Sequence, residues 1–109
     1  MTVQEARELV QLGKALLIDV REEQELKDTG MAEGALWMPL SELVEDTDQW
    51  RAFKKSLPHD KQLLIYCKVG GRAGRMCEFL NCDGFQTVNL GGFGEWKSAG
   101  LPVKAFSPR

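Results

Sequence analysis

Gln62-Leu63-Leu64-Ile65-Tyr66-Cys67-Lys68-Val69-Gly70-Gly71-Arg72-Ala73 is the stretch whose reading decides the fold. The apolar run Leu63 to Tyr66 suits a strand covered on both faces, as in a parallel sheet. After Cys67 the character changes. Lys68-Val69-Gly70-Gly71 predicts a tight loop, and a helix is expected from near Arg72. Ala73, Met76, Cys77 and Leu80 would line the helix's buried face until Asp83-Gly84 ends it.

The flanking segments repeat the alternation. Towards the N-terminus, Thr2-Val3-Gln4-Glu5 has the form of a capping box, and Val3, Ala6, Leu9 and Val10 share one helical face that Gly13 closes. Ala15-Leu16-Leu17-Ile18 reads as a second buried strand, closed by Asp19-Val20-Arg21, with a polar helix over Glu22–Lys27 ending by Gly30. Ala35–Met38 reads as a short strand halted by Pro39, Ser41 as the cap of a helical turn through Val44, and Asp48–Ser56 as a helix. Towards the C-terminus, Gln86–Leu90 is a strand, followed by Gly91-Gly92 and a short helix around Phe93–Ser98. Strands alternating with helices predict an α/β fold, with a mostly parallel central sheet flanked by helices on both faces. Ligands of such sheets bind beyond the carboxyl ends of the strands. Asp19-Val20-Arg21, Cys67 with its loop, and Gly91-Gly92 all fall there.

The chain has 109 residues, 43% apolar and 28% charged, which suits one domain over residues 1–109 and, from size alone, a monomer. A net charge of −2 argues against a general nucleic-acid binder. The N-terminus lacks the pattern of a signal peptide, and no apolar run is long enough to span a bilayer, so a cytoplasmic location without membrane contact is expected. Three cysteines, Cys67, Cys77 and Cys82, argue against a disulfide framework in that setting, and their spacings match no zinc pattern. No metal and no cofactor are expected.

The loop carries the chemistry. A cysteine just ahead of a helix N-terminus faces unpaired N–H groups and the positive end of the macrodipole, where thiolates form more readily. Gly70 and Gly71 let the backbone curl into a cradle of donors. Lys68, Arg72 and Arg75 add positive charge. The competing reading is a small buried hydrophobe followed by an ordinary turn.

With these motifs in place, the chain resembles the rhodanese family over almost its whole length. That family's active loop, Cys-x-x-Gly-x-Arg, is matched by Cys67, Gly70 and Arg72. Its upstream pattern is matched by Asp19-Val20-Arg21, Glu25, Gly34-Ala35 and Pro39, and its closing motif by Leu90-x-Gly92, Trp96 and Gly100-Leu101-Pro102-Val103. Two positions depart from it: Met31-Ala32-Glu33 replaces His-Ile-Pro, and Lys68 stands where many members have arginine. The lysine keeps the charge without the bidentate fork.

The resemblance implies a sulfurtransferase. Cys67 would attack thiosulfate, hold a persulfide and pass the terminal sulfur to a thiol or cyanide acceptor, a ping-pong cycle. The amides of Lys68, Val69, Gly70, Gly71, Arg72 and Ala73 would stabilise the sulfur's charge. Lys68 would contact the donor's oxygens. Arg72 would bind the anion or brace the loop against Asp19 or Glu25. Asp19, Arg21, Glu25, Gly91 and Gly92 would support the site, and Trp96 would pack in the core. Cys77 and Cys82 read as structural, with a resolving role left open. One rival is a Cys-x5-Arg phosphatase or arsenate reductase; here Cys67 to Arg72 is Cys-x4-Arg, one residue shorter. The other is a non-catalytic rhodanese-like binding or regulatory module, whose members usually lack the loop cysteine.

Overall fold

A computed structural model of the chain describes residues 1–106, so the last three residues of the expected domain lie outside it. Helix α1 (Val3–Gln11) opens with the capping box, the Glu5 amide donating to Thr2 Oγ1 and the Thr2 amide to Glu5 Oε1. Strand β1 (Ala15–Asp19) leads to α2 (Glu23–Thr29), two-residue β2 (Met31–Ala32) and β3 (Ala35–Trp37). Helices α3 (Leu40–Glu45) and α4 (Asp48–Ser56) then carry the chain to β4 (Gln62–Cys67). Helix α5 (Gly71–Cys82), β5 (Gln86–Gly92), α6 (Phe93–Ser98) and β6 (Val103–Lys104) complete the order.

Strands β3, β1, β4 and β5 form one wholly parallel sheet in that spatial order. Side chains alternate across a strand, and β4 shows the consequence. Leu63, Ile65 and Cys67 pack with Leu40, Trp50, Met76 and Leu80 from the α3–α5 layer. Leu64 and Tyr66 pack with Ala6, Leu26, Phe93 and Trp96 from α1, α2 and α6. Helices therefore cover both faces, and the central strand has no polar side.

The chain order reverses beside β1 and β4, which are neighbours although α2, β3, α3 and α4 lie between them in sequence. Such a reversal opens a crevice at the carboxyl ends of the two strands. Asp19 and Cys67 end those strands.

Three local features differ from the sequence reading. Ser41 does not cap α3; the helix starts at Leu40 after Pro39, and Ser41 Oγ donates instead to Glu22 Oε1 at 2.8 Å. A carboxylate at the head of α2 is the stronger acceptor for that hydroxyl. Strands β2 and β6 pair antiparallel as a separate ribbon, too short for any period to reveal. Strand β5 runs on to Gly92 through a bulge at Leu90, since Ile65 pairs with Asn89 but Tyr66 pairs with Gly91. The bulge keeps the two glycines in register with Tyr66 and Cys67.

Among the described residues no helix is long and apolar enough to cross a membrane.

Candidate active site

Cys67 ends β4 and is 1% exposed, packed near Ala73 and Met76. Burial alone would suit an inert thiol. The amides around the sulfur set it apart: Gly70 N–H donates to Sγ at 2.9 Å and Ala73 N–H approaches it at 3.5 Å. Gly70 adopts φ +104°, a conformation open to glycine, and this turns the chain back over the sulfur. Among the described residues, the amides of Lys68, Val69, Gly71 and Arg72 donate to no protein acceptor. The loop is thus a partly filled cradle of donors at the head of a three-turn helix.

The two cations of the loop part company. Arg72 turns to α2 and grips Glu25 through both terminal nitrogens, at 2.5 and 2.9 Å. The hydrogen bond from Arg72 holds the Glu25 carboxyl down at about 2, helped by the Glu22 amide and the charge of Arg21. Lys68 makes no ion pair or hydrogen bond through its side chain among the described residues, and it borders two open cavities with Val69. One, of about 360 Å³, is floored by Arg21, Thr29 and Phe93; the other, of about 440 Å³, by Gly92, Glu95 and Ser98. Val69 at the loop's tip is 83% exposed.

Asp19 and Arg21 lie on the opposite face of β4 from the sulfur. Both are buried, and the guanidinium bonds Asp19 through Nε and Nη2, Thr29 Oγ1 through Nη1, and the Gly30 carbonyl through Nη2. It also stacks 4.3 Å over the Phe93 ring. Beside this pair, Tyr66 takes the Ala32 amide on its hydroxyl, and burial together with the Asp19 charge pushes its ionisation up. The arrangement ties β1, β4, α2, β2 and α6 together beneath the site, with Asp19 and Arg21 engaged in a structural ion pair.

Gly92 stands against the loop: a Cβ there would overlap the Lys68 carbonyl oxygen. Gly91, at φ +87°, leaves room for the Glu95 carboxylate. Trp96 is buried, with its indole N–H on the Pro102 carbonyl. Cys77 is buried and its thiol pushed up by that burial, while Cys82 is exposed at the far end of α5. Sequence reasoning missed Asn89, which touches both glycine-bearing loops. Its Nδ2 donates to the Gly70 carbonyl at 3.0 Å and its Oδ1 accepts from Gly91 N–H at 2.8 Å. The available signal was an asparagine two residues before a glycine, the pattern of an Asx turn.

A family model described as the rhodanese-like domain matches residues 2–99. The chain belongs to the rhodanese-like family. A sulfurtransferase of Allochromatium vinosum is 32% identical over 92 residues, covering 83% of this chain and 78% of that protein. A mitochondrial thiosulfate sulfurtransferase of Saccharomyces cerevisiae is 34% identical over 99 residues, covering 80% of this chain and 63% of that one. Among solved structures, a rhodanese-related protein from Thermoplasma volcanium superposes with a TM-score of 0.77 at 28% identity, covering 97% of both chains. The parallel α/β fold expected from the alternation of strands and helices, and the rhodanese-like family implied by the motif resemblance, are therefore both observed, and the homologues are named sulfurtransferases. In this rhodanese-like domain the loop Cys67–Arg72 sits at the carboxyl edge of the sheet, between the two cavities that Lys68 and Val69 border.

Proposed function

We propose that this protein moves a sulfane sulfur from thiosulfate, or a similar anionic donor, to a thiophilic acceptor through a persulfide on Cys67. The observation that carries the reading is the sulfur of Cys67 facing two loop amides with further unpartnered amides around it. Thiolate Sγ attacks the outer sulfur of thiosulfate, the donor's S–S bond breaks, and sulfite leaves with the bonding pair. The terminal sulfur now bears the negative charge, and the free amides of Lys68, Val69, Gly71 and Arg72 supply donors for it. An aimed donor of this kind is worth roughly 2.7–4 kcal/mol where one has been removed from an oxyanion site. Cyanide, or a thiolate in the cell, then attacks the terminal sulfur, and Cys67 departs as the thiolate. No proton is lost or gained in the cycle with cyanide.

Of the two cations within the loop, Lys68 is the one with unoccupied donors among the described residues, and it contacts the sulfonate oxygens of the donor. Arg72 braces the loop through Glu25, and Gly91 and Gly92 let β5 approach. An arginine so engaged is not free to clamp a tetrahedral phosphate, which favours sulfur transfer over phosphatase chemistry. The protein works as a monomer in the cytoplasm, with residues 1–109 acting as one domain.

The test compares thiosulfate-to-cyanide transfer by the native protein and by Cys67→Ser. Native protein should turn over and gain the mass of one sulfur on thiosulfate treatment, removed by cyanide; the variant should do neither. Equal rates in the two, or no transfer by either, would sink the proposal.

A further inference from the structure

Asn89 lies in the middle of β5, two residues before Gly91, exposed, and its two arms reach opposite ways. One arm bonds Gly70 O, the other Gly91 N–H. The Gly70 carbonyl also accepts the first bond of α5, from Gly74 N–H at 2.9 Å. Two donors on one carbonyl fix the plane of the Gly70–Gly71 peptide. In a trans peptide the N–H of the next residue points opposite to the carbonyl, so this plane also sets where Gly71 N–H points. That N–H is one of the amides with no protein acceptor. Gly70 N–H, on the other side of the same residue, is the closest donor to Cys67 Sγ. Gly74 has no side chain to obstruct the contact; a Cβ there would sit 3.4 Å from Asn89 Nδ2.

We infer that Asn89 is a positioning residue for sulfur transfer: by holding the Gly70 carbonyl it aims the loop amides at the sulfur on Cys67. The inference rests on the sulfurtransferase reading above. Asn89 touches neither the donor nor the sulfur, so its loss should slow the chemical step and leave donor binding in place. Misaiming a preorganised donor costs about tenfold or more in rate.

The experiment uses the full chain as native protein, Asn89→Ala and Asn89→Asp. Intact-mass measurement at saturating thiosulfate gives the fraction of Cys67 that loads, and rates are expressed per loadable site. That division removes any loss due to misfolding. Asn89→Ala should lose about tenfold in saturated rate while the half-saturating thiosulfate concentration stays within twofold of native. Asn89→Asp keeps the acceptor for Gly91 N–H and loses the donor to Gly70. It should be as slow near neutral pH, and its rate relative to native should climb as pH falls through about 4, where its carboxyl regains a proton to donate. Should Asn89→Ala not fold, Asn89→Asp decides alone. A per-site rate within twofold of native, a loss seen only as weaker thiosulfate binding, or a flat pH ratio for Asn89→Asp would overturn the inference while native transfer kept the sulfurtransferase reading intact. Absence of native transfer would overturn both.

Discussion

At position 92 the missing carbon matters more than any side chain could. Gly92 backs onto the Lys68 carbonyl, so Gly92→Ala must push the Cys67 loop away from β5. Overpacking of this kind costs about 1–3 kcal/mol. The variant should melt earlier and load less sulfur on thiosulfate treatment, as read by thermal melting and intact mass. Lys68 poses the opposite case, a side chain with no ion pair or hydrogen bond among the described residues. Lys68→Ala should raise the half-saturating thiosulfate concentration several-fold with little change in saturated turnover, a split that steady-state kinetics would reveal. Unchanged half-saturation would remove Lys68 from donor binding. Cys67, Lys68, Gly70 and Arg72 could be picked out of the sequence because their chemistry is local, carried by a strand end, a glycine turn and a helix start within six residues. Asn89 offered only the Asx-turn pattern with Gly91, because its other partner, Gly70, lies nineteen residues away in the Cys67 loop.

Between elements, the main link to the loop is the Arg72–Glu25 bridge from α5 to α2. It continues into α3, because Glu25 also takes the Glu22 amide and Glu22 takes the Ser41 hydroxyl. Glu25 titrates at about 2 in the folded protein, against an ordinary value of 4.5. A carboxyl whose folded value is depressed stabilises the fold fully above its unfolded value and loses that contribution as pH falls towards the folded one. The native protein should therefore resist urea better than Glu25→Gln at pH 7, with the gap closing between pH 4.5 and about 2. A gap that stayed constant across that range would show that the bridge adds no stability. Helix α5 also carries the other cysteines: Cys77 shares the buried cluster of Cys67, and Cys82 is exposed at the helix's far end. The Arg72–Glu25 pairing was one of two braces weighed from the sequence, and only the packing of α2 against α5 separates Glu25 from Asp19.

For the molecule as a whole, the buried pair Asp19–Arg21 holds the layers in place. Arg21 joins β1 to the end of α2 through Thr29 and Gly30, and stacks on Phe93 of α6. Taking one partner from a buried pair leaves an uncompensated charge and costs about 3–5 kcal/mol. Arg21→Met should lose that much in urea unfolding, more than Arg51→Met, whose pair with Asp46 is exposed. Equal losses would mean that Arg21 does not act as a keystone. The parallel sheet with helices on both faces was legible because strands alternate with helical segments and two of them, Ala15–Ile18 and Leu63–Tyr66, are continuous apolar runs that suit a sheet buried on both sides. Strand β2 with β6, the bulge at Leu90 and the hydroxyl contact of Ser41 were not legible, because each depends on a partner far along the chain. The amino-acid order by itself determined the helices, the four strands of the parallel sheet, the donor-rich turn after Cys67 and its cations, since propensity, periodicity and glycine act over a few residues. Tertiary structure alone decided which cation is left open, which carboxylate is bridged and which asparagine aims the loop, because those outcomes depend on the distances between elements that only packing sets.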